Sequence, residues 1–288
     1  MRRSLISAIV LSVSLASSGA ASAAEWVPKA MGSRVTGEIN WWPGDFEHIV
    51  TMGIGAQIRL TQVVFADLDV AWAVFVPDRK DHLSSTTSTF AFGNPTAGVH
   101  WAGLMNDKLA MHAGGSLTVA TLFRDRDVFY ARPGRGNGDL DVVGTRGTAT
   151  LVRAYADFHR LVPDYIFLRG RAGMELQIRP ELYYRTELAP VVAIAVVADT
   201  ADFILDIQHE IEARSSLGIG GGLHLQAVFT TLLRKDTTQL ALEPYFVFDP
   251  GRGVYARVGT LLALDEPLGF GLESGRVASI CITLGGRW

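Results

Sequence analysis

Ester hydrolysis needs a nucleophile beside a base that takes its proton, or paired acids with a histidine that activates water. Asp81-His82-Leu83-Ser84 sets His82 close to Ser84, but the stretch reads as a loop and nothing else completes a pattern. His100, His112, His159 and His224 fall on separate segments without metal-ligand spacing. Each is expected to serve as a hydrogen-bonding group. Asp139-Leu140-Asp141, after Asn137-Gly138, offers oxygens to a hard cation, yet a solvated turn explains it better. Gly218-Ile219-Gly220 has the outline of a nucleotide loop, but no helix follows it. No catalytic residue, no metal and no cofactor is therefore expected.

What remains chemically distinctive is a set of charges at alternating positions. Arg59, Arg153, Arg169, Arg171, Arg179, Arg257 and Arg287 stand against Glu38, Asp69, Asp157, Glu175, Asp206, Glu210, Glu212 and Glu243. His224 shares their phase.

A period of two belongs to strands, where successive side chains point to opposite faces. Met52, Ile54, Ala56, Ile58 and Leu60 alternate with Gly53, Gly55, Gln57 and Arg59. Leu168, Ala172, Met174, Leu176 and Ile178 alternate with Arg169, Arg171, Glu175, Gln177 and Arg179. Leu240, Leu242 and Phe246 alternate with Ala241, Glu243 and Tyr245. Helical spacing is scarce, and the longest apolar run, from Pro190 to Ala198, is too short for a spanning helix. Many of the segments are about 10–14 residues long, above the roughly 5–6 of ordinary strands and suited to tilted membrane strands.

The composition agrees. The 288 residues are 48% hydrophobic and only 19% charged, which excludes general disorder. A formal charge of −3 argues against a nucleic-acid partner. Arg2 and Arg3, an apolar run from Leu5 to Ala16 and Ala21-Ser22-Ala23 form an export signal over residues 1–23. Its removal leaves 24 basic against 29 acidic residues, a charge of −5, on a single barrel domain of residues 24–288. Cys281 is the only cysteine, so no internal disulfide can form.

The last segment sets Ala278, Ile280, Ile282, Leu284 and Trp288 against Ser279, Cys281, Thr283 and Arg287. Ile280, Ile282, Leu284 and the terminal Trp288 resemble the C-terminal signature of Gram-negative outer-membrane β-barrels. That resemblance implies an all-β, antiparallel up-and-down transmembrane barrel in the outer membrane. It implies outer-membrane lipids around the barrel and an assembly machinery that reads the final strand. His82 and Ser84 also have a spacing resembling that of lipid A deacylases, whereas the Asn and Gly of outer-membrane phospholipases do not follow Ser84.

Strands are read near 33–41, 49–60, 67–77, 90–103, 108–120, 149–159, 166–179, 203–213, 217–229, 238–248, 253–264 and 277–288. The count is about twelve, and bacterial barrels favour even numbers. The apolar stretch from Val191 to Ala198 is assigned to a long loop over 180–202; fourteen strands is the alternative. In this scheme strand 166–179 rises and strand 203–213 descends. Arg169 and Arg171 are then expected beside Glu210 and Glu212, low in the barrel. Such a lumen is either a salt-bridge network bracing a narrow barrel or a charged constriction that selects solutes. Gly53, Gly55, Gly218, Gly220 and Gly222 are expected inside, leaving open space or receiving a close contact. The expected function is a passive channel or small-solute transporter. The alternatives are a non-conducting structural or receptor barrel working through its loops and, behind both, a lipid hydrolase.

Overall fold

The computed structural model describes residues 32–43, 47–77, 89–121, 157–196, 200–231, 237–250, 253–264 and 278–288. Residues 1–23, expected as an export signal, and Arg153, His82 and Ser84 lie outside them.

The alternating segments fold as antiparallel strands: β1 (Arg34–Pro43), β2 (Glu47–Arg59), β3 (Val64–Pro77), β4 (Thr89–Phe92), β5 (Thr96–Leu104), β6 (Leu109–Thr118) and β7 (Tyr165–Arg179). They continue as β8 (Leu182–Ala195), β9 (Ala201–Arg214), β10 (Ile219–Thr230), β11 (Thr238–Phe248), β12 (Val254–Ala263) and β13 (Ala278–Arg287). Each strand pairs with its sequence neighbour, and β13 closes the sheet on β1 through Arg34↔Arg287 to Trp41↔Ile280. Closure is what hydrocarbon demands, since an open edge would leave backbone groups unpaired where no water can serve them. β4 pairs with β3 at Trp72–Phe75 and β5 pairs with it at Val64–Asp69. These two pieces make one stave broken at 93–95, so thirteen strands form a barrel of twelve staves.

The staves differ from the expected set at two places. Residues 157–160 are a turn and a single 3₁₀ turn (Phe158–Arg160), not the end of a strand, and 149–156 lie outside the described residues. Instead β6 pairs directly with β7, and the stretch assigned to a loop is the full strand β8, joined to β7 by a tight turn at Pro180-Glu181. The count survives because one stave replaces the other. Direction does not: β7 descends from the long-loop end, β8 rises, and β9 descends.

β8 was hard to read because its alternation vanishes at one end. Leu188, Val192 and Ile194 face outward and are exposed, whereas Ala189, Val191 and Ala193 face inward and are buried. Val191 and Ala193 pack with Phe167, Ile204 and Val228 in an apolar cluster that fills the interior near the long-loop end. Both faces are therefore apolar, as in strands covered on both sides. Pro190 adds to the disguise, since proline within a strand removes a ladder donor.

Leu188, 47% exposed, stands on the outer face, which the membrane-barrel reading expects to meet lipid. Leu188→Arg should destabilise the refolded barrel by about 2–4 kcal/mol, the cost of a cation near mid-bilayer. Urea titration in lipid checks it, because a loop position would tolerate the change.

Candidate functional site

Inward residues at mid-barrel are charged, and the strand order decides who meets whom. β8 carries Arg185 and Glu187 on its inner face, between the carboxylates of β7 and β9. Arg185 Nε donates to Glu175 at 2.7 Å. Its Nη1 donates to Glu210 and also to Glu212, the latter at 3.2 Å. One guanidinium thus holds three carboxylates from both neighbouring strands. Arg257 on β12 donates to the second oxygen of Glu210 at 2.9 Å and lies 3.0 Å from Glu243. Its plane stacks on the Tyr245 ring at 3.5 Å. Tyr245 donates to Glu212 at 2.9 Å, and His224 contacts Glu243 at 3.3 Å.

Towards the short-turn end Arg214 joins Glu212 to Asp249, and Arg287 binds Asp249 through both amino nitrogens at 3.0 Å. Asp249 lies in the turn after β11, where alternation gives no clue to its direction. Burial pushes its carboxyl up, but Arg287 and Arg214 outweigh this and hold it below its ordinary 3.8.

Closer to the long-loop end a second group forms around Arg169, which donates to Glu187 at 3.0 Å and Asp206 at 3.2 Å. Gln208 and Gln226 also donate to Asp206, at 2.8 and 3.0 Å. His112 lies 3.2 Å from Glu187. Across the lumen Arg171 reaches Asp67 on β3, which also contacts His100 at 2.6 Å.

Nine of the expected lumen residues therefore line the interior: Arg169, Arg171, Glu175, Asp206, Glu210, Glu212, His224, Glu243 and Arg257. The expected pairing of Arg169 and Arg171 with Glu210 and Glu212 is overturned. Because β7 descends, both arginines lie nearer the long-loop end, and Arg185 takes the glutamates. Two expected residues stand outside the network. Arg59, exposed at the short-turn end, donates to the carbonyls of Thr61 and Gln62 at 3.0 and 3.2 Å. Arg179 is exposed at the end of β7, where the register slips. Gly218 is a turn residue with φ of 77°, not part of the wall.

The interior has two unlike walls. On β10–β13 the glycines are filled: Tyr245 lies against Gly222 and Gly259, and Tyr255 against Gly285. Arg257 is only 2% exposed and Glu212 1%. On the other side small and polar residues face inward, among them Thr36, Gly55, Thr96 and Ser116. Between this wall and Arg169, Arg171 and Glu187 lies a cavity of about 100 Å³, bounded also by Asp67, Asp69 and Arg160. It has room for several waters and enough polar groups to hold them.

The sequence matches no protein-family model and no curated protein. Solved structures do match. An outer membrane channel from Pseudomonas putida F1 superposes with a TM-score of 0.59 at 8% identity, over 93% of this chain and 100% of that one. The NanC porin superposes with a TM-score of 0.51 at 6% identity, over 88% of this chain and 98% of that one. The fold is that of an outer-membrane β-barrel of the channel and porin type. Ile280, Ile282 and Leu284 face outward on its last strand, with Trp288 exposed beyond them.

Two outcomes follow. Arg185→Ala removes the cation shared by three buried carboxylates and should cost about 3–5 kcal/mol. Arg171→Ala, where side-chain exposures are 21% and 25% across the pair with Asp67, should cost only about 0–1 kcal/mol. Urea midpoints of the refolded proteins compare them, and equal losses would contradict the two-wall description. For Asp249, a folded value below the unfolded one gives stability that is present above the unfolded value and lost as pH falls through the folded one. Acid unfolding below about pH 4 should therefore be shallower in Asp249→Asn than in the native chain.

Proposed function

We propose that the protein is an outer-membrane channel passing small polar solutes along the small-residue wall. The observation that carries this reading is the cavity between Thr36, Gly55, Thr96 and Ser116 on one side and Arg169, Arg171 and Glu187 on the other. Fixed charges of both signs around so narrow a space select by size and dipole more than by net charge. The likeness of fold to channel proteins supports the reading, as do the export signal over residues 1–23 and the outward apolar band. In this reading the barrel lies in outer-membrane lipid, and Ile280, Ile282, Leu284 and Trp288 form the segment that the assembly machinery recognises. No bond is made or broken in the lumen, and His82 and Ser84 have no catalytic part.

A non-conducting barrel is the second reading. The dense packing of Arg185, Arg257 and Tyr245 against their glutamates favours it, since such a wall braces the barrel whether or not solutes pass.

Planar-bilayer recording of refolded protein separates the two. The channel reading predicts small, discrete current steps, smaller than those of a wide water-filled pore. A properly folded, heat-modifiable barrel that carries no current supports the second reading and overturns the first.

A further inference from the structure

The broken stave between β4 and β5 is built to hold something. Gly93 N donates to Ala71 at 2.7 Å, which keeps the chain on β3. A Cβ at Gly93 would lie 2.6 Å from the Ala71 oxygen and 2.7 Å from the Arg160 oxygen, so only glycine permits this approach. Asn94 N donates to the Arg160 carbonyl at 2.6 Å. The Asn94 amide donates to the carbonyls of His159 and Val162 at 3.0 and 2.7 Å. Its oxygen accepts from the Thr121 backbone at 3.2 Å. Asn94 is fully buried, and its side chain satisfies backbone groups of a segment that, among the described residues, forms turns and a 3₁₀ turn and not a strand.

That segment, residues 157–164, is folded into the barrel. Leu161, 1% exposed, packs on Ile49 and Ala73 of the β2–β3 wall. Val162 packs on the apolar cluster of β7–β10. Between these anchors the Arg160 guanidinium reaches into the cavity, 2.6 Å from Asp69, 3.3 Å from Glu38 and 3.2 Å from Asp157.

We propose that residues 157–164 are a fixed constriction latched by Asn94 at the strand break, and that Arg160 sets the charge preference of the passage beneath it. Nothing in local sequence pattern announces this latch, because its two parts lie 65 residues apart. The structural reason for the preference is one cation facing three carboxylates. With Arg160 present the charges that line the cavity balance, Arg34, Arg160, Arg169 and Arg171 against Asp67, Asp69, Asp157 and Glu187. Without it the acids of the lining outnumber the cations, an excess that favours cations.

The electrical half of this proposal rests on the channel reading; the latch does not. The test therefore has two arms. In a Cys281→Ser background, Leu161→Cys reports access to the segment through its rate of reaction with a water-soluble maleimide. Asn94→Ala should speed that reaction several-fold and raise single-channel conductance. Where Asn94→Ala does not fold, Asn94→Asp removes the same two donated bonds at nearly constant volume. Arg160→Gln, recorded under a salt gradient, should move the reversal potential toward cation preference. Unchanged labelling in a folded Asn94 variant overturns the latch. Faster labelling with currents present but unchanged overturns the constriction. An unchanged reversal potential overturns the role of Arg160. Faster labelling in a barrel that never conducts supports the latch and overturns the channel reading instead.

Discussion

Arg185 is the contact on which the middle of this barrel depends. A closed sheet in lipid can send its charges only inward, and a narrow interior has little water to receive them. Every inward carboxylate must therefore find a cation held at its own depth. Arg185 does this for Glu175, Glu210 and Glu212 at once, and Arg257 carries the chain of contacts on to Glu243. The network joins strands from β7 to β12, so it fixes register as well as charge. A slip of one residue would turn these side chains onto the apolar outer face.

Most of the fold was legible because an apolar outer face and a charged interior print the same alternation on nearly every stave. The residues of the site were legible for the same reason: Arg169, Glu210 and Arg257 all share the polar phase. Their partners were not. Partnership depends on strand direction, and direction depends on every connection before it. Ala189, Val191 and Ala193 make β8 apolar on both faces, so the strand that carries Arg185 and Glu187 looked like loop. One exchanged stave then reversed β7 and matched Arg169 and Arg171 to the wrong acids. Asp249 and Asn94 escaped for a different reason: they act from a turn and from a broken strand, where alternation says nothing about where a side chain points.

The two walls divide labour. Tyrosines folded over Gly222, Gly259 and Gly285 make the β10–β13 side a packed core of aromatic rings and ion pairs. The side formed by β1, β2, β5 and β6 sets small residues, Thr36, Gly55, Thr96 and Ser116, against the cavity, with Arg34 and Gln57 beside them. The apolar clusters near the long-loop end, with Leu161 and Val162 inserted, tie the two sides together. Rigidity on one side leaves the other free to be hollow without loss of the barrel's shape.

In the proposed channel, passage follows the small-residue wall. Single cysteines in a Cys281→Ser background test it directly when a charged methanethiosulfonate is added during bilayer recording. Ser116→Cys, beside the cavity, should lose current on modification, while Thr283→Cys, on the packed wall, should not. Block at Thr283→Cys with none at Ser116→Cys would place the passage on the opposite side and contradict the account.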